Sequence, residues 1–399
     1  MTSADTTDAE RAGSAGAAKG PLSGLIVLDL TRVLAGPYCT LVLNDLGAEV
    51  VKVEAPECGD DARHYGPFVK GRSAYFMSLN RGKRSIALDL KAGADRAMLE
   101  RLVRRADILV ENFRPGTMEK LGLGWPRLQA LNPRLIYAAV SGFGQTGPYR
   151  GRAAYDMVVQ AMGGVMSLTG HGDGRPTRVG TSIGDITAGL FATVGILAAL
   201  ENRHRTGRGT MVDVAMLDCQ IAILENAIAR YAATGQVPGP MGARHPSITP
   251  FEALKAADGH LVIAAGNDVL FAKLAQALGD AALARDPRFA SNDARTSNHD
   301  ALKPALEGLL AARGVKQWLA ILDGVGVPCG PINSVAEALA DPQIAARNMV
   351  VSSPDPVAGT LMMAGNPIKL AGFADPPTRG VAPALDADRA AILAELGVE

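Results

Sequence analysis

Between residues 25 and 140 the sequence alternates short apolar runs with amphipathic stretches, and this alternation limits the fold more than any other feature. LIVLDL (25–30), EVVKVE (49–54), RSIALDL (84–90), ILV (108–110) and LIYAAV (135–140) read as strands buried on both faces. Helices are predicted between them, over 37–47, 92–106 and 124–131. Parallel neighbours need a crossover, which is usually a helix. The pattern therefore predicts an α/β fold with a mostly parallel sheet that carries helices on both faces. A long helix is predicted over 185–205, with an acid at its head, an apolar middle and basic residues at its end. MVDVAML precedes another helix, predicted over 217–234.

The character changes near residue 236, where GQVPGPMGARHPSITP is turn-rich and reads as a linker. HLVIAAG and several short helices follow, as in a second, smaller α/β domain over 236–325. A helix is predicted over 334–340, and a strand–turn–strand in MVVSSPDPVAGTLMMAG. Residues 1–20 are small and polar, lack the apolar centre of a secretory signal, and read as a disordered tail. Lys plus Arg and Asp plus Glu number 40 each, so the basic excess of a nucleic-acid binder is absent. Cys39, Cys58, Cys219 and Cys329 form no C-x-x-C pair, which argues for free thiols in a reducing, cytoplasmic setting. The longest apolar run, Ile186 to Leu200, suits a buried helix better than a bilayer span.

GFGQTG at 142–147 matches G-x-G-x-x-G after a strand. A dinucleotide site would open a helix on the last glycine and place an acid some twenty residues on. Pro148 and YRGR follow instead, so a glycine-rich turn is the better reading and an NAD(P)-dependent oxidoreductase the weaker one. Asp185 in IGDITAG has two readings that spacing leaves open. It is a helix N-cap, or a carboxylate nucleophile with Gly184 and Gly189 admitting a bulky ligand and helix N–H groups binding an oxyanion. His64, His171, His204, His245, His260 and His299 form neither H-E-x-x-H nor an i, i+4 pair, so no metal site is expected. Lys83, Arg84, Lys91, Arg114 and Lys120 flank strand ends, where they either hold phosphates or form solvated surface.

Five strings in order, DLTRVLAGPYCTLVLNDLGAEVVKVE, LNRGKRSIALDLK, ADILVENFRPGTMEKLGLG, NPRLIYAAVSGFGQTGPYRGRAAYDMVVQAMGG and GDITAGLFATVGILAALENRHRTGRG, resemble the class III CoA-transferases. The resemblance is strong over 21–225 and looser through GVPCGPINSV and beyond. It implies a Rossmann-like large domain built from 21–235 and 326–399, a smaller α/β domain, and an interlocked homodimer of ring-shaped subunits. It also implies that the CoA thioester is a substrate, with no permanently bound cofactor and with neither nucleic acid nor membrane as partner. Residue by residue, it makes Asp185 the catalytic aspartate and places Val33, Leu34 and Ala35 on the loop at the CoA adenine. Leu88, Lys91, Asn112, Phe113, Lys120, Leu121 and Tyr155 fall on further CoA contacts. Formyl-CoA transferases carry Arg where this chain has Ala55, which removes one phosphate contact. MGARHPSITPFEAL resembles the branch that uses succinyl-CoA and small dicarboxylates, and Arg32, Arg244 and His245 are the candidate acceptor cations. The α-methylacyl-CoA racemases are the competing branch. They pair the aspartate with a His in G-H-D, where this chain has Tyr155, a poor base near neutral pH.

Overall fold

The computed structural model describes residues 20–398, so the predicted tail over 1–20 lies, save for Gly20, outside the described residues. Two compact units form. One comprises the chain up to Met166, Arg178–Gln236 and the chain from Pro342; the other comprises Ser167–Thr177 and Val237–Asp341.

The first unit is built on six parallel strands: β1 (Ile26–Asp29), β2 (Glu49–Glu54), β3 (Arg84–Ala87), β4 (Ile108–Glu111), β5 (Ile136–Ser141) and β6 (Met211–Ala215). Their spatial order is β3-β2-β1-β4-β5-β6, so the direction of winding reverses between β1 and β4. In open α/β sheets ligands bind outside the carboxyl ends of the strands at that reversal. Neighbouring residues along each strand face opposite cores. Val27, Val50, Ile108 and Ile136 pack with Cys39 and Leu43 of helix α1 (Ala35–Asp45). Leu28, Val51, Leu109 and Tyr137 pack with Leu99 and Leu102 of helix α2 (Gly93–Val103), and Ile392 near the chain's end joins that core. Burial on both faces explains why the strands read as continuous apolar runs.

The long helix α3 spans Ile183–Thr206 and ends on Gly207 at φ 71, with Arg203, His204 and Arg205 in its last turn. At 24 residues it is longer than the run read from sequence. By length and hydropathy it could cross a bilayer, yet half of its apolar window is buried in the protein. Three sequence expectations need correction. The strand expected over 84–90 leaves the sheet after Ala87. The helix expected over 217–234 is two helices, Met216–Ala222 and Asn226–Thr234, because Glu225 between them has φ 45. The presumed linker is partly paired backbone: the His245 N–H donates to the Phe251 carbonyl and the Ala253 N–H to the Ala243 carbonyl. That pairing belongs to the second unit, where Phe251–Lys255, His260–Ala264 and Cys329–Pro331 form an antiparallel sheet. Its core holds Phe271, Leu306 and Trp318.

Below the carboxyl ends of β1 and β2 lies a buried ionic network. Asp29 Oδ2 accepts from Lys83 Nζ at 2.9 Å, and Asp60 Oδ2 lies 2.8 Å from Lys52 Nζ. Burial alone would raise the Asp29 pKa, but Lys52 and Lys83 outweigh it and hold the carboxyl below the usual carboxylate range. Burial pushes Lys83 down despite Asp29. Removing one partner of such a pair strands a charge away from water. Lys83→Met is therefore expected to destabilise the protein by about 3–5 kcal/mol, read as a lower midpoint in urea unfolding. An unchanged midpoint would show that this pair does not hold the sheet's end together.

Candidate active site

The chain leaves β1 through Thr31, Arg32 and Val33. Val33 has φ 67, a left-handed conformation that a β-branched side chain resists. Such a residue costs about 1–3 kcal/mol and persists only where its surroundings over-determine it. Here they do. The Val33 N–H donates to Asp60 Oδ1 at 3.0 Å, Lys52 Nζ donates to the Thr31 carbonyl at 2.8 Å, and the Thr31 N–H donates to Asp29 Oδ1 at 2.9 Å. The exit of β4 is tied to this turn. The Arg32 N–H donates to Asn112 Oδ1 and Asn112 Nδ2 returns a bond to the Arg32 carbonyl, both at 2.8 Å. Glu111, which the sequence did not single out, fixes the same exit from below. It is buried and accepts from the Phe113 N–H at 2.7 Å and the Tyr137 hydroxyl at 3.0 Å, and burial pushes its pKa up to about 7.

A cleft of about 190 Å³ opens above these turns. Val33, Leu34 and Ala35 line it from the exit of β1, Asn112 and Phe113 from that of β4, with Tyr155 and Asp185 on the remaining wall. Six of the predicted CoA contacts thus share one cleft with the predicted nucleophile. Asp185 is the third residue of α3, half-buried, and its carboxylate makes no hydrogen bond or ion pair among the described residues. It is not the cap. That role falls to the buried Asp156, whose Oδ1 accepts from the Gly184 N–H at 2.8 Å and whose Oδ2 accepts from Gln160 Nε2 at 2.8 Å. The glycines also serve packing rather than ligand entry. A Cβ on Gly184 would meet Val159 at 2.7 Å, and one on Gly189 would meet the Ala35 carbonyl of α1 at 2.7 Å. Burial pushes the Asp185 pKa up to about 7, and the charge of Asp156 adds to the shift. The Ile183 and Ile186 N–H groups donate to the Thr181 and Ser182 carbonyls. The Asp185 N–H has no partner among the described residues and is available to an oxyanion. Tyr75 feels this carboxylate: burial, then the Asp185 charge, lift its phenol to about 12.

The other predicted residues, Arg32 apart, lie elsewhere. Leu88 is 2% exposed in the second core, so its side chain is closed to a ligand and only its main chain is near the exit of β3. Lys91 is exposed just beyond. Lys120 and Leu121 line a separate groove of about 450 Å³ with Gly93 and Arg96. Arg32 lines the Asp185 cleft, but its guanidinium is 3.2 Å from Asp61 and 5.6 Å from the Phe113 ring centroid. Arg244 and His245 belong to the second unit. There Arg244 donates to the Thr296 carbonyl at 3.1 Å, and His245 stacks on Phe251 with its Nδ1 accepting from the Ser247 N–H. GFGQTG opens no helix, since the next one starts at Asp156. Its Gly144 N–H bonds Ser141 Oγ and its Gln145 N–H bonds the Asp213 carboxylate, so neither is free for a pyrophosphate. No group of three His, Cys, Asp or Glu side chains placed to hold a metal occurs among the described residues.

The family model described as CoA-transferase family III matches residues 22–389. An acetyl-CoA:oxalate CoA-transferase of Acetobacter aceti is 50% identical, over 94% of this chain and 96% of its own length. A succinate–glutarate CoA-transferase of Agrobacterium fabrum is 44% identical, over 84% and 85% respectively. A succinyl-CoA:mesaconate CoA-transferase of Haloarcula hispanica is 42% identical, over 95% and 97%. Among solved structures, a CAIB/BAIF family protein from Brucella suis superposes with a TM-score of 0.83 at 44% identity, covering 95% of this chain and 100% of that one.

The raised pKa of Asp185 makes a prediction about stability. The folded protein favours the neutral acid, so the carboxyl is harmless below its ordinary value of 3.8 and becomes a liability as pH rises through about 7. Asp185→Asn keeps a neutral amide at every pH. Relative to that variant, the wild type should lose stability between pH 4 and pH 8, measured as the difference in Tm across the range. A constant difference would contradict the raised pKa.

Proposed function

This chain belongs to CoA-transferase family III and is an enzyme that transfers CoA between acyl-CoA and acids; we propose that it does so through an aspartyl-CoA thioester on Asp185, with succinyl-CoA as favoured donor and a small dicarboxylate as acceptor. The observation that carries the mechanism is the partnerless, half-buried Asp185 carboxylate in the cleft at the sheet's reversal point.

A thioester is open to attack by a carboxylate that is positioned and desolvated. Asp185 adds to the acyl carbonyl and the CoA thiolate leaves, giving an aspartyl–acyl anhydride. The thiolate then attacks the aspartyl carbonyl, forming the thioester and releasing the donor acid as its carboxylate. The acceptor carboxylate attacks that thioester, giving a second anhydride and free thiolate. Attack of the thiolate on the acceptor's acyl carbonyl yields the new acyl-CoA and restores the Asp185 carboxylate. Val33, Asn112 and Phe113 hold the CoA end, and the free Asp185 N–H meets developing oxyanion charge.

The acceptor class rests on what the relatives are named for: oxalate, glutarate and mesaconate are all dicarboxylates. The identity with the Acetobacter enzyme supports a second pairing, acetyl-CoA with oxalate. Racemisation is disfavoured because Tyr155, 73% exposed, stands where racemases have their His, so the imidazole that would serve as second base is missing. We also propose a homodimer. Helix α3 turns Leu190, Phe191 and Val194 outward, the last 62% exposed, and a second copy would cover them.

Two outcomes are expected. Asp185→Ala should abolish transfer while its circular dichroism stays native; near-normal turnover would refute the nucleophile. In the wild type kcat/KM should fall about tenfold per pH unit below pH 7, because the attacking carboxylate must be ionised, and a flat acid limb would count against Asp185. The substrate class is tested by offering succinyl-CoA and acetyl-CoA with mono- and dicarboxylic acids, and failure with every dicarboxylate would remove it.

A further inference from the structure

Arg152 lines the Asp185 cleft, yet its side chain makes no hydrogen bond or ion pair among the described residues. It is nonetheless held in place. Its guanidinium carbon lies 4.7 Å from the Tyr149 ring centroid and 5.5 Å from that of Phe143, and those rings meet edge to face at 5.8 Å. The Arg152 N–H also donates to the Tyr149 carbonyl at 2.8 Å. Phe143 belongs to GFGQTG, the motif that binds no dinucleotide here. Its loop is pinned by Ser141 and Asp213, so the aromatic platform is fixed to the ends of β5 and β6.

A cation stacked on rings keeps its five N–H donors in plane and free for a planar anion. Three arginines line the cleft. Arg32 and Arg114 stand at the exits of β1 and β4, and Arg32 already faces Asp61. Arg152 stands on the segment that runs into Tyr155 and Asp156, the wall that holds Gly184 and therefore Asp185. A substrate with a second carboxylate enters beside Asp185, whose pKa burial and the charge of the buried Asp156 already raise, and gains from a counter-charge there. We propose that Arg152, seated on Phe143 and Tyr149, binds the non-reacting carboxylate of the dicarboxylate substrate and so selects that class. The inference rests on the dicarboxylate reading above.

The test uses the full-length wild type, Arg152→Gln and Arg152→Lys. For each, KM is measured for a dicarboxylate the wild type accepts and for a monocarboxylate of equal length, and the Kd of free CoA by calorimetry. Free CoA carries the phosphates but no carboxylate, so it separates the two anions that Arg152 can meet. Losing a charged hydrogen-bond donor should raise the dicarboxylate KM of Arg152→Gln about tenfold to a hundredfold. The monocarboxylate KM and the CoA Kd should stay within about twofold, and Arg152→Lys should recover part of the loss because it keeps the charge without the fork. A weaker CoA Kd with an unchanged dicarboxylate KM would make Arg152 a phosphate contact and overturn the proposal, as would equal KM increases for both acids. A wild type that uses monocarboxylates alone would end the substrate reading, and with it this inference, before any variant is made.

Discussion

Beneath the cleft, Asp29, Glu54 and Asp60 face Lys52, Arg63 and Lys83, and the site above takes its shape from this balance. Each pair gains little by itself, because taking charges out of water costs several kcal/mol per ion. What the network contributes is placement. Asp29 and Lys52 hold the main chain of Thr31 from two sides, while Asp60 holds the N–H of Val33. Glu54 accepts both from Arg63 and from the Asp60 N–H, so the segment after β2 cannot drift from the turn after β1. An apolar core of equal volume would bury as much surface, but it has no directional bonds with which to keep a valine in the left-handed region. The strained turn in turn presents its main chain to Asn112, which couples the two strand ends at the point where the sheet reverses.

On the opposite wall two aspartates divide two tasks that the sequence assigned to one. Asp156 accepts from Gly184 and Gln160 and fixes the start of α3. Asp185, relieved of capping, has both carboxylate oxygens without a hydrogen bond or ion pair among the described residues, as the proposed nucleophile requires. Burial, and after it the charge of Asp156, raises its pKa, which cuts both ways. A more basic carboxylate is a stronger nucleophile. A carboxyl near neutrality is also partly protonated in the resting enzyme, so the cleft holds back part of the reactivity it creates.

How much of this was legible depended on whether the signal was local. Strands buried on both faces appear as apolar runs, so the sheet was readable, and β3 was overrun only because Leu88 stays buried after leaving it. The reversal between β1 and β4 is a pairing fact that no periodicity carries. Asp185 stood out because its string resembles a known one; its cap reading failed because the competing acid, Asp156, lies 28 residues before the Gly184 it caps. Arg152 had no signal of its own, since what marks it is the missing partner and the two rings beneath it. Arg32 showed the reverse: a cation in the right loop, already answered by Asp61.

These arrangements share a logic of answered and unanswered charge. A low-dielectric site makes an unpaired group costly, so nearly every buried acid and base here has its partner close by. The groups left over mark where a ligand must supply the missing half. On the mechanism proposed above, Asp185 has no partner because an acyl carbon is to be its partner, and the Asp185 N–H is open because the oxyanion forms only during reaction. Such a site is less stable empty than filled, and binding energy from the CoA end is what draws the reacting atoms into it. On the proposed mechanism the rigid turn at Val33 and Asn112 therefore belongs to catalysis as much as to binding. A loose grip on the distant end of the substrate would be lost as misplacement at the carboxylate.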